Sequence, residues 1–192
     1  VKLADLLDET AARALAAVKL RSPNLPEGEA KTIAEAVGMA ALKYADLAND
    51  RIKDYVFSFD RMLAFEGNTG PYLLYALVRI RNIFRKAAER SLGGDWAKAA
   101  LAIREPAEKT LALTLLRYPA AVRGVAESLE PHKLCQYLYD LAGSFSTFYD
   151  ACPVLQAEDE AVRLSRLRLC GLTARVLQDG LSVLGMPTLE RM

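Results

Sequence analysis

The amino-acid sequence predicts an all-α fold, a helical bundle preceded by a helical linker. Apolar residues recur at three- and four-residue steps along most of the 192 positions, which is the spacing of amphipathic helices. Prolines and glycines separate these periodic segments at short turns, as they do between neighbouring helices of a bundle. The chain is 52% hydrophobic and contains neither an internal repeat nor a low-complexity tract, so we expect one main core.

The first third of the chain is predicted to contain two helices. One covers residues 3–20 and is ended by a loop at 21–28, which holds two prolines and a glycine. The apolar face of the second consists of Ile33, Val37, Ala40, Ala41, Tyr44 and Leu47. Residues 52–59 are rich in aromatic and β-branched side chains, so a short extended segment is predicted there. Residue 1 is valine and a helix follows almost at once, so we expect a piece of a longer polypeptide.

A long helix is predicted from residue 70 to about residue 90. The stretch Asn68-Thr69-Gly70-Pro71 supplies a capping side chain and then a proline suited to the first helical turn. Gly93-Gly94-Asp95 is expected to end this helix and to start a shorter one at Trp96. The indole of Trp96 is expected to anchor the packing between helices.

Four further helices are predicted before the C-terminal tail. The first starts at Glu105-Pro106 and runs to Pro119, and a short one follows over Val122, Val125 and Leu129. Pro131 opens the next, which closes near Cys152 and carries the apolar residues Leu134, Leu138, Leu141, Phe145, Phe148 and Tyr149. The last spans residues 158–184, with Val162, Leu169, Leu172, Val176 and Leu181 inward and Gly185 as its stop. Residues 186–192 form the tail.

Charge and composition exclude several classes of protein. Lysine and arginine number 25 against 24 aspartate and glutamate, a net charge of +1, which excludes a polycation that binds nucleic acid by bulk charge. Any nucleic-acid surface must therefore be local. The one histidine, His132, and the three cysteines, Cys135, Cys152 and Cys170, are too few and too scattered for a zinc site, so no metal is expected. We expect buried, reduced thiols, and a surface or capping role for His132.

Several motifs of membrane proteins and enzymes are missing. No apolar run approaches the roughly 20 residues of a membrane span, and no signal-peptide pattern is present, so a cytoplasmic protein without membrane contact is expected. The sequence has no glycine-rich phosphate loop, no Gly-x-Ser-x-Gly elbow and no His-Glu-x-x-His helix. No pair of carboxylates stands out from the solvated faces. We therefore do not expect this chain alone to be a catalyst.

The most distinctive segment lies on the predicted helix at 70–90. Tyr72, Tyr75, Arg79 and Ile83 share one stripe, while Leu73, Leu77, Ile80 and Phe84 face the neighbouring direction. Tyrosine rings stack on unpaired bases and guanidinium groups bind phosphates, so such a stripe suits single-stranded RNA. The pattern also fits tyrosines in an amphipathic core beside solvated arginines, and periodicity alone favours this second interpretation.

Several segments resemble the C-terminal part of arginyl-tRNA synthetases. They are Lys43-Tyr44-Ala45-Asp46-Leu47, Asp54-Tyr55-Val56-Phe57, Asp60-Arg61-Met62-Leu63, the run from Phe65 to Tyr72, and the terminal Arg191-Met192. The opening Leu3 to Glu9 and the stretch from Phe145 to Val154 are also similar to that family, so the resemblance covers nearly the whole chain. It implies a helical linker at residues 1–66, leading from a class I catalytic domain, and an anticodon-binding helical bundle of the DALR type at residues 67–192.

The resemblance also implies a function, partners and site residues. The family joins arginine to its tRNA with ATP and Mg²⁺, and this chain, which would hold no cofactor itself, would bind the anticodon loop of an arginine-specific tRNA, particularly its central cytosine. The implied anticodon-binding residues are Asn68, Tyr72, Tyr75, Arg85, Tyr149 and Met192, and the stripe on the helix adds Arg79 as a phosphate contact. The other implied partner is the enzyme's own N-terminal catalytic domain, and a monomer is expected.

The chain departs from the family pattern at three positions. Leu74 stands where members commonly have glutamine, Leu77 where they have histidine, and Ser58 where the aromatic-acidic segment has aspartate. A second hypothesis is therefore a helical interaction module that derives from a synthetase and has lost tRNA binding, which the near-neutral charge favours. A third, the helical domain of another class I synthetase, is disfavoured by residues 66–69 and by the terminal Arg191-Met192.

Overall fold

The computed structural model describes residues 3–192, and over that range it consists of eight α-helices without a β-strand. The helices are α1 (Leu3–Arg21), α2 (Glu27–Leu47), α3 (Phe59–Met62), α4 (Gly70–Glu89), α5 (Pro106–Leu116), α6 (Tyr118–Ser128), α7 (Pro131–Ala151) and α8 (Glu160–Val183). The predicted all-α bundle is confirmed. Between residues 3 and 192 none of the helices is both long and apolar enough to cross a bilayer.

Small residues bring α1 and α2 together as an antiparallel hairpin. A Cβ on Gly38 of α2 would lie 3.4 Å from the Cβ of Ala14 and from a methyl group of Thr10 on α1. Val18 and Ile33 are buried in the same layer. The loop between the helices is shorter than predicted, because α2 already starts at Glu27.

The start of α4 lies directly against α2. A Cβ on Gly70 would lie only 2.4 Å from the carbonyl oxygen of Ala40, so no larger residue fits without moving a backbone. Thr69 caps the helix, because its hydroxyl accepts from the backbone N–H of Tyr72 at 3.2 Å and donates to the carbonyl oxygen of Ala64 at 2.6 Å. The predicted start of the long helix is confirmed, and the cap fixes the residues just before it.

Helix α7 forms the centre of the second part of the chain and packs against α4, α5, α6 and α8. Its side chains Leu138, Leu141, Phe145 and Phe148 are fully or almost fully buried, as predicted. Of the residues predicted to face inward on α8, the buried ones are Val162, Leu169 and Leu181, whereas Leu172 and Val176 are partly exposed.

The predicted helix at Trp96 is wrong. Residues 94–98 form turns, and the chain beyond them is irregular up to α5. Tertiary contacts outweigh helix propensity here, because Ser165 of α8 bonds both the N–H of Ala102, at 2.8 Å, and its carbonyl oxygen, at 3.3 Å. The predicted anchoring role of Trp96 is confirmed, since its ring lies 4.7 Å from that of Phe84 and would collide with any Cβ on Gly171.

The predicted extended segment at 52–59 forms no strand. Residues 51–53 form a turn and bend, residues 54–58 are irregular, and α3 starts at Phe59. The backbone of Ser58 is extended, with φ −148° and ψ 119°, and its hydroxyl caps α3. Ile52 and Val56 are each 83% exposed, so their β-branched side chains have no neighbouring strand to pack on.

The three cysteines are buried and free, as predicted. Burial raises the pKa of the Cys135 thiol to about 12 and also raises that of Cys152. These thiols therefore remain protonated at neutral pH, which makes them poor nucleophiles.

Candidate nucleic-acid interface

The predicted site residue Asn68 is held by Tyr44 of α2. The Tyr44 hydroxyl lies 2.5 Å from Oδ1 of Asn68 and 2.8 Å from the carbonyl oxygen of Cys135 on α7. Tyr44 itself is completely buried, while Asn68 is exposed. This contact connects α2, the loop before α4 and α7. From the sequence, Tyr44 was expected on the apolar face of the second helix and within the family-like segment 43–47, without a partner for its hydroxyl, although a buried tyrosine hydroxyl generally needs one.

One turn into α4, Tyr72 lies against Tyr139 of α7. The ring centroids are 5.7 Å apart and the planes are tilted by 59°. Burial raises the pKa of Tyr72, and the neighbouring Tyr139 raises it further, against a smaller lowering by Arg79. Tyr75 follows on the same side of α4 with 46% of its surface exposed, so its ring is open to solvent. Tyr139 is not among the site residues predicted from the sequence.

Arg79 lies one turn beyond Tyr75 on the same side of α4. Its guanidinium carbon lies 4.2 Å from the centroid of the Tyr149 ring, and its Nη2 lies 3.3 Å from Oδ1 of Asp150. Tyr149 also packs beside Phe145, with 6.0 Å between ring centroids. Because Tyr72 meets α7 at Tyr139 and Arg79 meets it near its end, α4 and α7 run in the same direction along this face.

We call this surface the α4–α7 groove. It consists of Tyr72, Tyr75, Arg79, Tyr139 and Tyr149, with Asn68 at its N-terminal end. The groove combines one exposed aromatic ring, three partly buried ones and a guanidinium group that has an exposed carboxylate as its partner. Unpaired bases and phosphates are the chemical groups such a surface suits.

Arg85 lies apart from the groove. It follows Arg79 by six residues and, at about 100° per residue, points roughly 120° away around α4. There it lines a cavity of about 400 Å³ with Arg81, Glu190 and Arg191. The structure therefore places Arg85 beside the C-terminal tail.

The tail is bound to the bundle by three basic side chains. Arg81 donates to the carbonyl oxygen of Leu189 and lies 3.2 Å from the Glu190 carboxylate, while Lys43 donates to the carbonyl oxygen of Gly185 at 2.6 Å. Arg191 pairs with Glu29 of α2. At the end of this tail, Met192 is partly buried and packs against the core.

The three departures from the family pattern fit the core or a cap. Leu74 and Leu77 are fully buried in α4, where apolar side chains are favoured over glutamine or histidine. Ser58 caps α3 by accepting from the backbone N–H of Arg61 at 3.4 Å. None of the three lies in the groove.

A larger cavity opens beside Asn68. It has a volume of about 890 Å³ and lies between the end of α2, residues 55–58 and residues 61–69. Tyr55 and Phe57, which line it, are partly exposed. Over the described range the structure contains no cluster of three acidic, histidine or cysteine side chains that could hold a metal ion.

Two protein-family models match the chain. Residues 73–192 match the DALR anticodon binding domain, and residues 1–59 match the model described as tRNA synthetases class I (R), catalytic domain. The domain boundary predicted after residue 66 lies between these two ranges.

Related sequences and structures agree with this result. Over its full length the chain is 50% identical to the arginine–tRNA ligase of Vibrio campbellii and covers 33% of that protein. It is 49% identical to the arginine–tRNA ligase of Alcanivorax borkumensis and covers 32% of it. The arginyl-tRNA synthetase of Thermus thermophilus superposes on it with a TM-score of 0.90 at 37% identity, and the chain covers 32% of that protein. For the Plasmodium falciparum enzyme the TM-score is 0.85 at 31% identity, with 34% covered.

Its helical bundle and its similarity to these proteins place the chain in the class I aminoacyl-tRNA synthetase type. The chain belongs to the family of DALR anticodon binding domains, and its curated relatives are arginine–tRNA ligases. It spans about a third of the length of these relatives. The resemblance stated from the sequence is confirmed.

Proposed function

We propose that this chain binds the anticodon loop of an arginine-specific tRNA as part of an arginine–tRNA ligase. The α4–α7 groove carries this proposal, because it presents tyrosine rings and a guanidinium group in one row. Tyr75 is exposed where a core residue would be covered, which argues against a purely structural role for the stripe.

The groove side chains suit different parts of an unpaired loop. The open ring of Tyr75 offers a face for a splayed base, and Tyr149 offers a second one once Arg79 turns outward. Arg79 can exchange its exposed partner Asp150 for a phosphate, since a guanidinium binds either anion in a bidentate manner. Asn68 offers hydrogen bonds to a base edge, and Arg85 offers a second phosphate contact beside the tail.

We assign the chemical step to the rest of the longer enzyme. The proposed reaction is the ATP-dependent joining of arginine to tRNA, with ATP and Mg²⁺ bound by the catalytic domain, which is also the proposed protein partner. The role of the present chain is to bind and orient the tRNA, so that the acceptor end reaches that domain.

The experiment is a titration of the chain with an arginine-tRNA anticodon stem-loop and with a copy altered at the central anticodon base, each at two salt concentrations. We expect binding that weakens steeply with salt, because phosphate contacts release counterions, and that is lost on the base change. Salt-sensitive binding without base preference would contradict anticodon recognition.

A second candidate is a helical interaction module without RNA affinity. The net charge of +1 favours it, since most nucleic-acid domains carry a clear positive excess. The same titration separates the two proposals. A scaffold would bind neither stem-loop at low salt, whereas an anticodon-binding domain would bind the unaltered one.

A further inference from the structure

The hydroxyl of Tyr44 lies between two oxygen atoms. It is 2.5 Å from Oδ1 of Asn68 and 2.8 Å from the carbonyl oxygen of Cys135. Tyr44 is fully buried, and burial raises the pKa of its hydroxyl well above the ordinary range, so the proton stays on. Tyr44 is thus a permanent hydrogen-bond donor in direct contact with a predicted site residue.

A tyrosine hydroxyl has one proton and donates one hydrogen bond. When Oδ1 of Asn68 faces Tyr44, both oxygens next to the hydroxyl, Asn68 Oδ1 and the Cys135 carbonyl, are acceptors. Because the hydroxyl has a single proton, one of these two contacts would join two oxygen atoms with no proton between them. The carbonyl of Cys135 is fixed in the backbone of α7, whereas the amide of Asn68 can turn by 180° with almost no change of shape. In the turned state, with the separation of 2.5 Å widened to an ordinary N–H···O length, Asn68 Nδ2 donates to Tyr44 and Tyr44 donates to Cys135, so both contacts are hydrogen bonds.

The turned amide directs its oxygen away from Tyr44. Asn68 is exposed and lines the cavity of about 890 Å³ beside the groove, which has room for a splayed base. An oxygen there accepts from the exocyclic amino group of cytosine or adenine, whereas O4 of uracil is another acceptor and is repelled. An amide that turns freely could present its oxygen to the amino group of cytosine or its NH₂ group to O4 of uracil, and would not distinguish the two bases.

We propose that Tyr44 is a positioning residue, which holds the amide of Asn68 with its oxygen toward a nucleobase that carries an exocyclic amino group. This inference rests on the proposed function, since it requires an RNA base beside Asn68. Tyr44 touches no RNA in this arrangement and acts only through Asn68.

The amide orientation is tested on the chain without RNA, by NMR with ¹⁵N-labelled asparagine. We expect a nuclear Overhauser effect between the Nδ2 protons of Asn68 and the hydroxyl proton of Tyr44, and slow exchange of those protons with water. Both signals should disappear in Tyr44→Phe. The proposal would be overturned if, in the unaltered chain, the Nδ2 protons of Asn68 showed no Overhauser effect to Tyr44 and exchanged with water as fast as those of the exposed Asn24.

Base preference is tested with stem-loops that carry cytosine or uracil at the central anticodon position. Tyr44→Phe should lower the preference for cytosine roughly tenfold, the value of one good base-edge contact, with little change in salt dependence. Asn68→Ala should lower the preference for cytosine by the same factor. The double variant should lower it no further, because each single change already removes the same contact between Asn68 and the base. Tyr137→Phe is the matched control, since Tyr137 is buried and donates to Thr114 at 3.0 Å, outside the groove.

The remaining outcomes are also decisive. An unchanged preference in Tyr44→Phe would overturn the positioning role even if the unaltered chain binds RNA. Should Tyr44→Phe fail to fold, Asn68→Ala changes only an exposed residue, and full retention of the preference there would overturn the proposal. If the unaltered chain binds neither stem-loop, the proposed function and the base-reading step fail together, while the NMR signals still report whether Tyr44 holds the amide.

Discussion

The guanidinium of Arg79 lies over the ring of Tyr149, with 4.2 Å between the guanidinium carbon and the ring centroid. The same guanidinium also pairs with Asp150, the next residue on α7, at 3.3 Å. Arg79 therefore joins α4 to α7 through a cation–π contact as well as through an ion pair. It covers an aromatic face and neutralises an exposed carboxylate in the absence of RNA.

We expect Asp150→Asn to strengthen RNA binding. The carboxylate of Asp150 competes with phosphate for Arg79, and an exposed ion pair contributes at most about 1 kcal/mol, so the gain should be at most about fivefold. Fluorescence anisotropy with a labelled stem-loop at low salt measures it. Asp140→Asn, on the same helix but without an arginine partner among the described contacts, is the control. Weaker binding by Asp150→Asn would show that Arg79 needs Asp150 for its orientation.

Tyr75→Ala should weaken stem-loop binding by about 1–3 kcal/mol, the usual value of one stacked base. Because Tyr75 is 46% exposed, the free energy of unfolding should change little. Tyr75→Phe keeps the ring and should bind as the unaltered chain does. Titration gives the binding constants and urea denaturation the stability. Equal affinity of the alanine and phenylalanine variants would remove Tyr75 from the site.

Arg81→Met should release the C-terminal tail without unfolding the bundle. The guanidinium bonds the carbonyl oxygen of Leu189 and the side chains of Gln178 and Glu190, and methionine keeps most of the apolar stem while losing these contacts. Hydrogen exchange followed by mass spectrometry should show faster exchange at residues 186–192. Arg85→Met, in the same small cavity, should leave tail exchange unchanged. Unchanged exchange in Arg81→Met would mean that apolar packing alone holds the tail.

A buried ion pair should make the stability of the bundle sensitive to acid. Burial opposes the charge of Glu108, but hydrogen bonds from the backbone N–H of Arg104 and Glu105 and from Arg166 outweigh it and lower its pKa below the ordinary 4.5. This stabilisation is present above pH 4.5 and is lost as the pH falls through the lower pKa of the folded state.

Glu108→Gln should therefore cost about 3–5 kcal/mol at neutral pH, because the charge of the buried Arg166 is left without its counter-charge. Its unfolding free energy should also change less between neutral and acidic pH than that of the unaltered chain. Urea denaturation at both pH values measures the two effects. Asp95→Asn, in an exposed pair with Lys98, should change neither. Equal acid sensitivity with and without Glu108 would assign that sensitivity to other carboxylates.

Gly70→Ala should destabilise the fold by about 1–3 kcal/mol, since the new methyl group meets the backbone of α2 rather than a side chain that can move. Gly124→Ala, in α6 and with open space around it, should instead stabilise by about 0.5–1 kcal/mol through helix propensity. Thermal unfolding followed by circular dichroism compares the two. A neutral Gly70→Ala would show that α2 and α4 can separate at this point.

Local signals in the sequence predict most of the helices correctly. The Thr69 cap with Pro71 marks the start of α4, and Pro106 and Pro131 mark the starts of α5 and α7, because capping and proline geometry act within one turn. The stripe of Tyr72, Tyr75 and Arg79 was also visible, since a helix places such spacings on one face. Its RNA-binding role remains a prediction.

Long-range contacts were not predictable in the same way. Residues 96–104 have ordinary helix-forming composition, yet Ser165, 63 positions beyond Ala102, holds their backbone in an irregular path. The absence of a strand at 52–59 has a related cause, since β-branched residues form a strand only where a neighbouring strand covers them.

Local patterns in the sequence predict the all-α class, the positions of most helices and the tyrosine–arginine stripe of α4, and the family-like segments identify the family. The packing of the helices is needed to see that Tyr44 holds Asn68, that Tyr139 lies in the groove and that Arg85 lies beside the tail. The physical reason is separation along the chain. Periodicity and capping report interactions within a few residues, whereas the bond from Tyr44 to Cys135 joins positions 91 residues apart and exists only after the helices have packed.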